Sequence, residues 1–420
     1  MSDCQIADWQ SAIPRGWKVD RLGKFAEIII SNVDKKSEDD ETPVELCNYV
    51  DVYKNDRITR DLDFMEATAT QHEIEKFGLK PGDVIVTKDS ESPFDISIPS
   101  LIVDDLEGVI CGYHLAILRS HRRKLFGPFL SWLHVSQTIR AHYEKHATGI
   151  TRWAVGRKHF KTCPVPIPPL PQQKRIAAYL DASCAAIDRA VETKRKQLDT
   201  LDALRKSIVQ HAITQGLNPD VEMKDSGVGW LGPIPTHWRV RRIKDIVDAR
   251  SGCGITSFEI APEGEFPVYG GNGLRGYTDT YTHEGKFVLI GRQGALCGNI
   301  NYATGKFYAS EHAVVCDPYH KLQTKWFGDL LVAMNLNQYS NAAAQPGLSV
   351  ARIKRLQIPI PPTIERVEIE KHLSETSQAI AKIRNNCRSQ IATLTAYRKS
   401  LIHECVTGKR RISEEDVAGT

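Results

Sequence analysis

No run in this 420-residue chain approaches the roughly 18 consecutive apolar residues that a membrane-spanning helix needs. The ten cysteines (Cys4, Cys47, Cys111, Cys163, Cys184, Cys253, Cys297, Cys316, Cys387 and Cys405) stand singly. With no CxxC and no Cys/His cluster at ligand spacing, a local zinc site is excluded. The opening MSDCQIADWQSAIPRGW has no apolar segment of the kind a secretory leader carries, so the expectation is a soluble, cytoplasmic chain with reduced thiols. Catalytic signatures are missing too. Gly285-Lys286, Gly305-Lys306 and Gly408-Lys409 lack the upstream glycine and following hydroxyl of a phosphate-binding loop. Amino-group methylation of a base calls for an Asn/Asp-Pro-Pro-aromatic loop, whereas the Pro-Pro pairs here are IPPL and IPPT, flanked by apolar residues. Pro219-Asp220 with Glu222 and Lys224 is too compressed for a nuclease site, and no cysteine has a nucleophile signature. The chain reads as a binding protein with no catalytic residue, no metal ligand and no cofactor of its own.

What the sequence does have is itself, twice. A length of 420 residues suits two domains with connecting elements. Ile13-Pro14 and Trp17, with Val19, Arg21 and Leu22, open one copy; Ile234-Pro235 and Trp238, with Val240, Arg242 and Ile243, open the other. VIVTKDS (Val84 to Ser90) answers VLIGRQG (Val288 to Gly294), each an apolar strand ending in a base, Lys88 or Arg292. GYHLAIL answers SEHAVVC, sharing His114 and His312, which read as satisfied core histidines. Apolar stretches at Phe129 to Val135 and Phe327 to Met334 lead to loops TGIT (Thr148 to Thr151) and PGLS (Pro346 to Ser349). Both copies end in PIPP, at Pro166 to Pro169 and Pro359 to Pro362. So many landmarks in one order mark a long-period duplication.

After each PIPP runs a stretch without glycine or proline, with apolar residues in three-and-four steps. The seam includes Leu180, Ile187, Leu198, Leu201 and Ile208 in the first stretch. Leu373, Ile380, Ile383, Leu394 and Leu401 form it in the second. Gly216 with Pro219, and Gly408, supply the stops. Each helix of some forty-odd residues would be ~65 Å long. A single narrow seam on so long a helix needs a partner, and each helix offers the other one. The fold expected is α+β: two tandem globular domains separated by two long helices that pair as an antiparallel coiled coil, with pseudo-twofold symmetry. Boundaries fall at 1–168 and 221–361 for the globular domains, 169–220 for the first helix with its linker, 362–410 for the second helix, and 411–420 for a tail.

A net charge of +4 is too small to name a partner, but the charge is clustered. Arg140 to Lys161 carries six bases, Arg152, Arg157 and Lys158 among them, against Glu144 alone, with Trp153 and three histidines interleaved. Arg239, Arg241, Arg242, Lys244 and Arg250 gather at the start of the second copy. Such patches suit phosphate contacts. In YGGNGLRGYT (Tyr269 to Thr278) the glycines allow close backbone approach. Asn272 suits adenine, Arg275 guanine or phosphate, and Tyr277 stacking or packing. Lys88, Asp89 and Ser90, and Arg292 with Gln293, sit at equivalent strand ends with different side chains, as two domains reading different bases would have.

These residues together resemble the specificity subunit of type I restriction–modification systems. The resemblance is carried by IPxxW in each half, the strand ending in TKDS, YGGNGLRGY, SEHAVV, and PIPPLPQQKRIAAYLD followed by the seam and LRKSIVQHAITQGL. PIPPTIERVEIEKHLS departs from it, lacking the Gln-Gln-Lys-Arg run. The resemblance implies two target-recognition domains, each reading half of a bipartite, asymmetric DNA site. It implies paired helices that act as spacer and as the docking surface for two modification subunits. Those partners would bind S-adenosylmethionine and methylate adenine, and restriction subunits would translocate and cut with ATP and Mg. The alternatives are a nucleic-acid scaffold without sequence choice, and an enzyme with an unrecognised site.

Overall fold

The computed structural model describes Trp9 and residues 13–294, 296–320, 322–340 and 347–419. Cys4 and Pro346 lie outside these, as do the first eight residues and the last one. Two compact units divide the chain. One runs to Lys194 and resumes at Ser389; the other is Arg195–Arg388.

In the first unit, a five-stranded sheet has the order Ala26–Ile30, Leu115–Ser120, Val84–Thr87, Pro99–Ile102, Arg57–Ile58. Its central strands are buried on both faces, which explains their unbroken apolar runs. Successive residues point to opposite sides. Val84, Val86, Ala116 and Leu118 face a core with Phe129, Leu133, Tyr143 and Phe160. Ile85, Leu115 and Ile117 face a second core with Leu46, Val52 and Phe77. That second core is closed by a three-stranded sheet, Met65–Ala69, Thr42–Cys47 and Val109–Cys111. The outer strand Lys18–Arg21 pairs antiparallel with Pro164–Ile167, leading into the long helix Leu170–Gln215.

The second unit repeats the start of this plan. Arg239–Arg242 pairs with Gln357–Ile360, ahead of the helix Thr363–Thr407. Its six-stranded sheet runs Val247–Ser251, Ala313–Pro318, His283–Gly291, Ile300–Ala309, Phe266–Gly270, Gly273–Thr278. The first five strands match the first unit in order and sense, Phe266–Gly270 running parallel to Ile300–Ala309 as Arg57–Ile58 does to Pro99–Ile102; beyond them the units diverge. Phe266–Gly270 turns back as a hairpin with Gly273–Thr278, where the first unit has a separate three-stranded sheet.

Each unit holds part of both long helices, and in each the segments run antiparallel. In the first, Leu180, Cys184, Ile187 and Val191 pack with Leu401, Ile402 and Cys405, and Leu394 lies at the margin. Asp188 meets Arg398 at 2.9 Å, and Arg175, nearer the start of the first helix, meets Glu414 beyond the end of the second at 3.3 Å, so numbers fall on one side as they rise on the other. In the second, the Cys387 thiol donates to Gln197 at 3.8 Å and Arg384 pairs with Asp202 at 3.0 Å. Leu373 and Ile380 are buried, while Leu198, Leu201 and Ile208 are half-buried. Ile383 corrects the expected seam: it is 49% exposed. The buried steps run Ile380, Cys387, Leu401, with Arg384 taking the intervening inward position because its guanidinium finds Asp202.

The IPxxW landmark clasps a helix start and a helix end within one unit. The Trp17 indole donates to Gln172 at 2.7 Å, and a Cβ on Gly408 would fall 2.4 Å from the Pro14 ring. In the other unit the Trp238 indole donates to Glu365 at 2.8 Å, and a Cβ on Gly216 would fall 3.2 Å from Trp238. The missing Gln-Gln-Lys-Arg run therefore leaves the clasp intact, since Glu365 supplies the acceptor.

Candidate nucleic-acid interface

In the first unit the strand Val84–Thr87 ends in a turn that places Asp89–Ser90 beside Trp153–Ala154 as a short antiparallel pair. Lys88 is fixed through its backbone, taking the His114 carbonyl at 3.0 Å and giving its own carbonyl to Val155 at 2.9 Å. Three side chains converge on Asp89. Lys88 Nζ lies 2.9 Å from Oδ2, Arg152 Nε 2.8 Å from Oδ1, and His114 Nδ1 2.5 Å from Oδ1. Burial opposes a charge on Asp89, but hydrogen bonds from Lys88 and Arg152 outweigh it and hold the carboxyl below the usual carboxylate range. Burial also lowers the His114 imidazole, with Asp89 pulling the other way and Arg152 adding to the fall. The ring is thus neutral, donating from Nδ1. Two cations around one carboxylate leave net positive charge on a half-exposed face, with Arg152 the most open member.

The predicted Lys88, Asp89, Ser90 and Arg152 are thus brought together, across 63 residues between Asp89 and Arg152. Arg157 and Lys158 are exposed on the helix Arg157–Thr162. There Arg157 lines a different groove, with Glu27, Glu75 and Arg119. Residues not foreseen complete the cluster. Tyr49 OH lies 3.1 Å from Ser90 Oγ, and Tyr113 packs on His114 at 3.7 Å between ring centroids. His114 is satisfied as expected, but it lies half-buried at this face and outside the core clusters. Tyr49 carried no sequence signal, because its helix Tyr49–Lys54 joins the turn only through the fold.

The second unit builds the same frame from other side chains. Arg292 takes the His312 carbonyl at 3.0 Å and gives its own to Leu348 at 2.9 Å, as Lys88 does with His114 and Val155. Gln293 bridges to Gly347 just as Asp89 pairs with Ala154. These bonds correct one equivalence read from sequence: Gly347 and Leu348 of PGLS correspond to Ala154 and Val155, not to TGIT. Gln293 stands in the place of Asp89, and the carboxylate beside His312 is Glu311, 3.1 Å from its Nε2. The Arg292 guanidinium donates instead to Ser251 Oγ at 2.8 Å. Buried side-chain nitrogens with no partner gather here, Nε of Arg292, Nδ2 of Asn301 and Nδ1 of His312. The turn at Gly271–Asn272 folds against this frame. A Cβ on Gly291 would fall 2.0 Å from the Gly271 carbonyl, so the close approach requires glycine at 291, while a Cβ on Gly271 would only touch the carbonyls of Gln293 and His312 at 3.4 Å. Asn272 is exposed and accepts from Asn299 at 3.3 Å. Arg275 is exposed and lies along Gly270. Tyr277 exchanges backbone hydrogen bonds with Ala261 and packs by Gly264, which is a structural placement.

Among the described residues no helix is long and apolar enough to cross a membrane, and no group of three or more His, Cys, Asp or Glu could hold a metal.

One repeated backbone frame carries unlike side chains in the two units. Residues 14–200 and 235–392 match the model of the type I restriction modification DNA specificity domain, and the chain belongs to that family. The expected family is the one found. It is similar to the EcoprrI specificity subunit of Escherichia coli, 43% identical over 130 residues, 30% of this chain and 32% of that one. A putative MjaX specificity subunit of Methanocaldococcus jannaschii is 27% identical over 233 residues, covering 54% and 52%. The chain spans about a third of the length of the first curated relatives it matches, 32% and 29%. Two solved structures share its fold. A chain from a type I restriction–modification complex has TM-score 0.76 and 18% identity, covering 95% of this chain and 99% of that one. The HsdS subunit of Thermoanaerobacter tengcongensis has TM-score 0.59 and 19% identity, covering 95% and 98%.

Proposed function

We propose that this chain is the sequence-reading subunit of a type I restriction–modification complex, binding a bipartite, asymmetric DNA site with one half-site per domain. The observation that carries this is the duplicated turn. One pattern of backbone bonds presents Lys88, Asp89 and Arg152 in one domain and Arg292 and Gln293 in the other. A common frame with unlike side chains is what two different half-sites require, since base edges are read by side chains and position is set by phosphate contacts. Asn272 and Arg275 extend the second face, and Arg157 and Lys158 supply phosphate contacts beside the first.

The chain does no chemistry. Two modification subunits dock on the paired helices and bring S-adenosylmethionine, and restriction subunits bring ATP and Mg. Each long helix continues from one unit into the other, which supports reading the helix pair as the spacer between half-sites. The test is to co-express the chain with its modification subunit and map methylated adenines across a genome. A single split motif with a constant gap is expected. Methylation without a shared motif would instead favour a scaffold with no sequence choice, and methylation or cleavage by the purified chain alone would mean it is an enzyme.

A further inference from the structure

The most exposed large apolar side chain of the first unit is Ile150, at 95%. It does not sit on a loose loop. Thr148 and Ala154 exchange backbone hydrogen bonds of 3.1 and 2.9 Å, closing the loop that carries it. Ala154 and Trp153 are in turn paired with Asp89 and Ser90. Gly149 turns so tightly that a Cβ there would fall 1.9 Å from the Arg152 carbonyl. Two residues on from Ile150, Arg152 is held by Asp89. An apolar branched side chain is therefore mounted on a braced loop and held clear of the protein beside a cation cluster.

Resting on the DNA-binding reading above, we propose that Ile150 is a wedge that enters the base stack of the first half-site. A side chain this exposed has every face available for burial. Contact with a groove wall or a thymine methyl would cover one face only, whereas insertion between base pairs covers them all. Arg152 and Lys88 at its foot place positive charge beside the opened step, which favours the distorted duplex. Bracing at Thr148, Ala154 and Gly149 keeps the loop from folding back to bury Ile150 on the protein. The wedge makes base-step flexibility part of what the first domain reads, because pyrimidine–purine steps open most readily.

The test uses the full chain with its modification subunit and duplexes carrying the site mapped by methylation. 2-Aminopurine is placed in turn at each step of the first half-site. Binding is expected to raise fluorescence several-fold at one step. Ile150→Ser is expected to abolish that rise and weaken binding about 10-fold, and Ile150→Phe to retain it. Melting temperatures of the variants serve as a control for folding, since Ile150 belongs to no core. Tight binding with no fluorescence rise at any step overturns the wedge, as does a rise that Ile150→Ser leaves unchanged. Failure of the unaltered complex to bind the duplex at all overturns the DNA-binding reading on which the wedge rests.

Discussion

Asp89 holds Lys88, Arg152 and His114 at once, so its removal acts through its neighbours. Asp89→Asn is expected to free Arg152 and lower affinity for the first half-site, with the second half-site still recognised. Arg152→Ala is expected to cost about 1–3 kcal/mol of binding if its guanidinium pairs with a base, and to act equally on all sequences if it meets phosphate. Gel-shift titrations with altered half-sites distinguish these, and unchanged affinity in both variants would remove the cluster from the interface. His134 provides a separate test of the core. Its Nδ1 lies 2.9 Å from the Leu130 carbonyl, its Nε2 3.2 Å from Tyr143 OH, and burial pushes it down to about 4. The unfolded chain takes up a proton near pH 6.5 that the folded chain refuses. The resulting stability is fully present above about pH 6.5 and is lost as pH falls towards 4, about 3 kcal/mol in all. His134→Gln is expected to flatten that part of a urea-midpoint-against-pH curve; equal slopes would contradict the assignment.

Between elements, the helix seam separates residues that matter for packing from those that only look as if they do. Leu401 is buried against the first unit's core, and Leu401→Ala is expected to cost about 2–5 kcal/mol. Ile383, exposed beside the seam, is expected to change stability by less than about 0.5 kcal/mol when replaced by Gln. Denaturant titration of both variants checks the pair, and a large loss at Ile383 would mean that a partner covers it. The two clasps permit a similar comparison. Gly408→Ala is expected to destabilise, because φ is +79° and the added carbon meets Pro14 at 2.4 Å. Periodicity made both helices legible, but it could not choose between Ile383 and Arg384. A one-residue choice in the seam depends on Asp202, in a distant part of the chain.

For the whole molecule, the duplication predicts a division of labour. Exchanging residues 228–361 for the equivalent domain of another family member is expected to change one half-site and leave the other intact. Lengthening both helices by one turn, near Lys194 and Cys387, adds about 5.4 Å and is expected to widen the gap by about 1–2 base pairs. Methylation mapping reads both results, and a constant gap in the lengthened variant would end the role of the helices as a spacer.

The sequence by itself determined what repeats: the IPxxW openings, the strands ending in Lys88 and Arg292, and the two long seams. Such features are local patterns of polarity and chain stiffness, written in consecutive residues. Tertiary structure alone decided what meets what. It brought Arg152 to Asp89 and Tyr49 to Ser90, moved Gly347 and Leu348 into register with Ala154 and Val155, and let Glu365 do the work of Gln172. Those contacts join residues far apart along the chain. Chain-local patterns carry no record of them, because a hydrogen bond between distant residues is fixed by the packing that brings them together.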